Sequence, residues 1–417
     1  MLKQLEGSRA VAETVAMCRP EVVCAYPITP QTHIVEAVGE MVREGTLAPC
    51  EFINVESEFS ALSVAIGASA GGARTYTATA SQGLLFMAEA VFNASGMGMP
   101  IVMTVANRAI GAPINIWNDQ GDSMAMRDSG WLQIYATSNQ EAVDLHIIAF
   151  RLAEEISLPV MVCMDGFVLT HAYERVDIPE QAEVDAYLPP FEPRQVMDPA
   201  EPVTMGAMVG PEAFTEVRYL AHIKQMQALE LLPTLAREFK ARFGRDSGCL
   251  IQRYRTEDAH TIVVALGSVV GTLQEVIDTL RDEGHAVGVL AIRAFRPFPL
   301  AEVHDVLVHA ERVVVVERAF AIGQGGIVAD SIRKALQGQS APIYTVVAGL
   351  GGRPITQTSL NAMLHQAMDD ALPSVTFLDL QTDVVERALE RERAQRRSGP
   401  IAEGVLKDLG IKAMQYV

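Results

Sequence analysis

The chain has 417 residues, enough for two or three domains and a large core, which excludes a small scaffold held together by disulfides or metal. A formal net charge of −18, from 33 Lys and Arg against 51 Asp and Glu, gives a surface that repels nucleic-acid phosphates and anionic lipid, so neither is expected as a partner. With 49% hydrophobic and 20% charged residues, and no run near the ~18 apolar residues of a bilayer span, a soluble globular protein without a membrane span is expected.

The first residues, Met1 to Gly7, include an acid and no apolar segment, so the expectation is no secretory signal and a cytoplasmic location. Ser8 can cap a helix running to about Cys18. A short apolar strand, Val22 to Tyr26, ends at Pro27-Ile28-Thr29-Pro30, and apolar residues at Ile34, Val35, Val38, Met41 and Val42 then recur at helical spacing up to Gly45. The cadence repeats with a strand Phe52 to Val55, a turn Glu56-Ser57-Glu58 and a small-residue helix through Ala70. Next come a strand Thr75 to Thr79, a junction Ser81-Gln82-Gly83, a helix Leu84 to Phe92 and a strand Ile101 to Ala106 closing at Asn107-Arg108. Such alternation predicts a parallel sheet covered by helices.

A strand at Val160 to Cys163 precedes a proline-dense surface excursion around residues 179–211. Helical segments between about Ala221 and Phe243, broken or restarted at Pro233, lead to a second alternating unit beginning near residue 256. That unit reads as strand Thr261 to Leu266, helix to about Glu283, strands Val287 to Ile292 and Arg312 to Glu317, a Gly323-Gln324-Gly325-Gly326 turn, helix Ile327 to Leu336 and strand Ile343 to Ala348. The mixed glutamates and arginines of Glu386 to Arg397 read as a solvated helix with charge pairs, or as a docking arm.

In open parallel sheets ligands bind beyond the carboxyl ends of the strands, and those junctions here carry Thr29, Glu56, Glu58, Ser81 and Arg108. Each has a plain structural reading: a turn hydroxyl for Thr29, a helix-capping acid for either glutamate, and for Arg108 a tie from its loop to Asp119 or Asp122. Residues 79–83 read Thr-Ala-Ser-Gln-Gly, which fails the GxSxG pattern of a hydrolase nucleophile. The Gly323 to Gly326 turn lacks a third spaced glycine and is read as close packing rather than a dinucleotide loop. The methionines at Met87, Met97, Met99, Met124 and Met126 read as core, with subunit contact as the alternative. The histidines, His33, His146, His171 and His365 among them, form no cluster in the sequence, and no metal site is expected.

Five segments occur in order: Tyr26-Pro27-Ile28-Thr29-Pro30, Val55-Glu56-Ser57-Glu58, Ala78-Thr79-Ala80-Ser81-Gln82-Gly83, Asn107-Arg108-Ala109 and Met164-Asp165-Gly166-Phe167. Together they resemble the alpha subunit of the 2-oxoacid:ferredoxin oxidoreductases, most closely that of the pyruvate:ferredoxin (flavodoxin) enzymes. The resemblance implies two α/β domains: a pyrimidine-type thiamine-diphosphate-binding domain over 1–255, holding the Pro-rich excursion, and a transketolase C-terminal-like domain over 256–385. A helical extension follows over 386–417. It implies conversion of pyruvate, coenzyme A and oxidised ferredoxin to acetyl-CoA, carbon dioxide and reduced ferredoxin; another 2-oxoacid (2-oxoisovalerate, indolepyruvate or 2-oxoglutarate) or a noncatalytic scaffold are the alternatives. Glu58 matches the family's catalytic, cofactor-binding glutamate, and Thr29 and Arg108 match its substrate-binding positions.

The chemistry suits those residue types. A carboxyl against the aminopyrimidine nitrogen favours the tautomer that activates thiamine, and an arginine fork with a hydroxyl suits a carboxylate beside a ketone. The diphosphate-binding GDG is not met, since residues 121–123 read Gly-Asp-Ser. The five cysteines, Cys18, Cys24, Cys50, Cys163 and Cys249, stand apart with no cluster spacing. The resemblance therefore implies a cofactor shared with a beta subunit, with Mg2+ and [4Fe-4S] clusters on partner chains, and gamma and delta subunits completing the complex.

Overall fold

The computed structural model describes residues 2–394 and 401–411. The chain divides into a large unit, Met1–Thr376, and a small one, Phe377–Val417. The large unit holds two α/β sheets. The first runs Ala294–Arg296, Leu132–Tyr135, Val160–Asp165, Ile101–Asn107, Thr75–Thr79, Val22–Ala25, Glu51–Asn54 in spatial order. All its neighbours are parallel except the edge strand Ala294–Arg296, which pairs antiparallel with Leu132–Tyr135. Register places Asn107 beside Asp165, so those two strands end flush, and Thr79 beside Val105, so its strand ends two residues earlier.

The second sheet runs Val375–Phe377, Ile343–Val347, Arg312–Glu317, Thr261–Ala265, Val287–Ile292, Ile251–Tyr254, the last antiparallel to its neighbour. A two-stranded ribbon joins Leu2–Glu6 to Tyr173–Asp177. The central strands are apolar on both faces because helices cover both. On one face Val23, Val38, Tyr76, Phe150 and Val162 form one core. On the other, Leu62, Met103, Trp131 and Tyr135 share a single buried cluster with Ile262, Val264, Leu290 and Val315 of the second sheet. Each such large side chain stabilises the packing by roughly 1.5–3 kcal/mol, so the two sheets are held by a common core.

Four expectations are corrected. Ser8 lies inside the helix Gly7–Met17, where its hydroxyl donates to the Thr170 carbonyl at 2.8 Å, and Glu6 takes the cap position. The helix expected from Leu84 to Phe92 is two, Ser81–Phe86 and Ala88–Gly96, because Met87 leaves helical geometry (φ −90°, ψ 11°) with its side chain fully buried. Pro233 does not break its helix: Phe214–Phe243 is continuous, with Leu232, Leu235 and Phe239 buried along one face. That packing outweighs the lost N–H, and Thr234 donates its hydroxyl to the Glu230 carbonyl one turn back. The histidines are not all dispersed. His33 and His171 stack at 4.8 Å, and His33 Nδ1 lies 2.8 Å from Glu6.

Met87, Met99, Met124 and Met126 are buried, as the core reading requires, and Met97 packs against the same cluster. Residues 188–213 of the Pro-rich excursion are almost wholly irregular and lie back along the end of the helix Glu58–Ala70, with the Met197 N–H donating to the Ala70 carbonyl at 2.8 Å. In the small unit the helix Thr382–Ala394 is mostly exposed and carries an Arg387–Asp383 pair, while Arg391 pairs with Asp408 of the helix Ile401–Asp408. Residues 395–400 and 412–417 of the expected extension lie outside the described residues. No helix among the described residues is long and apolar enough to cross a membrane.

Candidate active site

The five motifs converge at the carboxyl ends of the first sheet's parallel strands. Gln31 pins the Tyr26–Pro30 loop: its side-chain amide donates to the Tyr26 carbonyl at 3.1 Å and the Ala78 carbonyl at 2.7 Å. Gly166 packs so tightly on the neighbouring loops that a Cβ there would lie 2.4 Å from the Asn107 carbonyl and 2.7 Å from Pro30. Buried Asp122 draws in the rest. Its carboxylate accepts from the Asn107 amide (2.8 Å) and from the N–H groups of Ser81 (2.9 Å), Arg108 (3.0 Å) and Ser123 (2.7 Å). Burial nevertheless dominates and pushes its pKa up to about 6.

Glu58 opens the helix Glu58–Ala70, whose N-cap Ser57 accepts from the Ser60 N–H at 3.2 Å. The side chain is buried, 8% exposed, and lies across Gly83: a Cβ at Gly83 would sit 2.7 Å from Glu58 Oε1 and 2.6 Å from Thr79 Oγ1. No donor among the described residues reaches the Glu58 carboxylate. Its rival Glu56 is exposed and accepts a hydrogen bond from the Ser60 hydroxyl, which holds its pKa below the ordinary value. The two acids thus separate into a surface acid at 56, held by the Ser60 hydroxyl, and a buried, unengaged one at 58.

Arg108 follows the strand Ile101–Asn107 and is 8% exposed. Its Nη1 donates to the Thr29 carbonyl at 2.8 Å and its Nε to the Asn115 carbonyl at 3.3 Å. The expected tie of its guanidinium to Asp119 or Asp122 does not form. Asp122 takes the Arg108 main-chain N–H, and Asp119 accepts instead from the N–H groups of Gly121 and Gly351. No carboxylate among the described residues lies within 4 Å of the guanidinium, and burial lowers its pKa while the Asp122 charge opposes that shift. Thr29 is exposed; its carbonyl holds Arg108, and its hydroxyl does not cap the helix Thr32–Arg43. The arrangement offers a buried acid, a cation held by two neutral carbonyls, and a hydroxyl at the rim.

Residues outside the expected set brace this site. Buried Asp165 accepts from Gln120 (2.8 Å), the Ser268 N–H (2.8 Å) and Arg318 (2.9 Å), joining the Met164–Phe167 segment to the second sheet. The Asn115 amide donates to the Gly351 carbonyl at 3.0 Å. The Gly323–Gly326 turn is close-packed only at Gly326, because a Cβ at Gly323 or Gly325 would meet open space and those two serve their positive φ instead; the Glu317 carboxylate accepts from the N–H groups of Ile327, Val328 and Ala329 at 2.7–3.2 Å, filling the helix N-terminus a phosphate would need. A Cβ at Gly326 would lie 2.1 Å from that carboxylate. The sequence marks Asp122 only as a partner for Arg108 or an unmet diphosphate motif and Asp165 only as part of its motif, and gives no signal for Glu317, since the partners of all three come from distant segments.

The sequence pattern described as "Pyruvate flavodoxin/ferredoxin oxidoreductase, thiamine diP-bdg" matches residues 13–234, more than half of the chain. This chain belongs to the pyruvate flavodoxin/ferredoxin oxidoreductase family. A second pattern, "Pyruvate:ferredoxin oxidoreductase core domain II", matches residues 259–360. The chain is 45% identical over 390 residues to the pyruvate synthase subunit PorA of Methanosarcina barkeri, covering 91% of this chain and 97% of that one. It is 44% identical to its counterpart in Methanothermobacter thermautotrophicus, covering 92% and 99%. A ketoisovalerate oxidoreductase subunit VorA of Pyrococcus abyssi is 40% identical, covering 87% and 92%.

Among solved structures, 2-oxoglutarate:ferredoxin oxidoreductase from Magnetococcus marinus superposes with a TM-score of 0.66 at 17% identity, over 88% of this chain and 65% of that one. A split-gene transketolase gives 0.52 at 14%, over 88% and 99%. At those identities the likeness speaks to the fold, which is that of this oxidoreductase family: α/β sheets with a thiamine-diphosphate-binding domain. The residues present fit the pyrimidine end of that cofactor, because a buried carboxylate without a protein donor awaits a polar partner.

Proposed function

We propose that this chain is the alpha subunit of a multi-subunit pyruvate:ferredoxin oxidoreductase, which oxidatively decarboxylates pyruvate with coenzyme A to acetyl-CoA and carbon dioxide while reducing ferredoxin. The observation that carries the reading is the Glu58 carboxylate, buried against Gly83 and engaged by no donor among the described residues, in a chain 44–45% identical to pyruvate synthase subunits. On this reading residues 1–255 hold the pyrimidine end of the cofactor, 256–385 form the transketolase C-terminal-like domain and 386–417 the helical extension.

Bound thiamine diphosphate supplies a nucleophilic carbon for the ketone of a 2-oxoacid and a sink for the electron pair that decarboxylation leaves. Glu58 holds the aminopyrimidine ring by sharing a proton with its nitrogen. Arg108, steadied by the Thr29 and Asn115 carbonyls, keeps the rest of its fork for the substrate carboxylate. The Thr29 hydroxyl at the rim donates to the substrate's oxygens. The diphosphate and its Mg2+ rest on a beta subunit, and [4Fe-4S] clusters on partner chains, gamma and delta completing a cytoplasmic assembly. In keeping with this, the five cysteines are separate free thiols, three of them buried.

The test uses the reconstituted complex with a panel of 2-oxoacids, following dye or ferredoxin reduction. Pyruvate is expected to have the highest kcat/KM, and Glu58→Gln to lower kcat by about 10²–10⁴. Preference for 2-oxoisovalerate would overturn the substrate assignment, and unchanged turnover in Glu58→Gln would leave the chain a scaffold.

A further inference from the structure

A cavity of about 120 Å3 lies at the other end of the elements that carry the site. It is lined by Ser69, near the end of the helix that Glu58 opens, by Met99 and Pro100, just before the strand that ends next to Arg108, and by Ser157, shortly before Val160–Asp165. Ser69 is eleven residues from Glu58, or about 17 Å along the helix axis at ~1.5 Å per residue, so this cavity sits at the opposite end of that helix from Glu58.

Two cations face this space. Lys224, from the helix Phe214–Phe243, and Arg194, from the Pro-rich excursion, both line it. One Arg194 N–H reaches the main-chain oxygen of Glu155, yet no carboxylate among the described residues lies within 4 Å of either cation. Burial, and then the charge of Arg194, hold the Lys224 amine below its ordinary pKa. Ser69 is 2% exposed and its hydroxyl has no hydrogen-bond partner. In a chain where 51 acids outnumber 33 bases, two like charges beside an unsatisfied hydroxyl lack a counter-ion.

We propose that this cavity binds the phosphoryl group of a small anion, either orthophosphate or a short phosphomonoester. Residues bearing a guanidinium fork, a compact ammonium and a hydroxyl line the space from three elements, which suits a tetrahedral group with several acceptor oxygens better than a planar carboxylate. The size fits as well, falling below the roughly 300–1,000 Å3 of a cofactor pocket.

The test is calorimetric titration of the full-length chain, and of the assembled complex, with inorganic phosphate and with glycerol 3-phosphate. Both forms are expected to bind at one site, and the tighter of the two titrants identifies the source. Lys224→Met and Arg194→Gln are each expected to weaken binding about tenfold or more, with the circular dichroism spectrum unchanged. Arg194 is exposed, so its variant keeps the test open if Lys224→Met fails to fold. Equal binding by wild type and both variants would mean adventitious ions elsewhere and overturn the assignment. Loss of binding on assembly would place a partner's carboxylate in the cavity and overturn it too.

Discussion

Replacing Gly83 by alanine tests the placement of Glu58 without removing it. The backbone there accepts a side chain: Gly83 is inside the helix Ser81–Phe86 and is not among the left-handed glycines, so alanine gains about 1 kcal/mol in helix propensity. The obstacle is the carboxylate, 2.7 Å from the new methyl, whereas an ordinary contact begins near 3.4 Å. Glu58 must therefore retreat by about 0.7 Å, and misplacement on the 1 Å scale costs up to about 10²-fold in rate. Glu58 Cγ is also close, at 2.8 Å, and the other near side chain, Thr79 with its Oγ1 at 2.6 Å, makes no hydrogen bond through that oxygen. In the reconstituted complex, Gly83→Ala should lower kcat by about 10- to 100-fold. KM for pyruvate should barely move, because Arg108 is untouched, and a Thr79→Ala background should not rescue turnover. Full turnover in a correctly folded Gly83→Ala complex would refute the claim that this carboxylate meets the cofactor.

The remaining expectations concern charge. Arg108→Lys keeps the charge but loses the fork that spans the Thr29 and Asn115 carbonyls, so steady-state kinetics should show KM for the 2-oxoacid rising about tenfold or more, with a smaller change in kcat. Burial raises the pKa of Glu317 to about 7 from the ordinary 4.5, so the folded chain keeps a proton that the unfolded chain has released. Stability from this group is full below about pH 4.5 and is lost as pH rises to about 7, by at most about 3 kcal/mol. Urea unfolding at a series of pH values should show that decline, and Glu317→Gln should flatten it; a slope unchanged in the variant would assign it to other groups, Asp122 first.

Much of the fold was legible because its central strands are short runs rich in β-branched and apolar residues. Thr75–Thr79, Val287–Ile292 and Arg312–Glu317 have the very bounds that their residue types suggest. The strand Leu132–Tyr135 and the helix Asn139–Ile156 gave no such signal. That helix is buried on nearly every side and carries Asn139, Glu141, Asp144 and His146 inside, which erases the amphipathic stripe. The motif order at strand ends was legible, and the structure gathers those segments at the carboxyl ends of the first sheet's strands. In the sequence Asp122 shows only as a partner for Arg108 or the middle of an unmet diphosphate motif, since its four donors converge only after folding.

The edge strand Ala294–Arg296 leaves one sheet to finish the other, and the Asn115 and Asp119 contacts with Gly351 brace the arginine's loop from behind. The halves are consequently not interchangeable parts. Severing the chain between residues 255 and 256 would bare the hydrogen-bonding rim of Leu132–Tyr135, a template for aggregation, and leave the arginine's loop without its rear support. Fission of such a gene could persist only if both products were made together and reassociated, which fixes the cofactor-facing and accessory portions as one heritable piece.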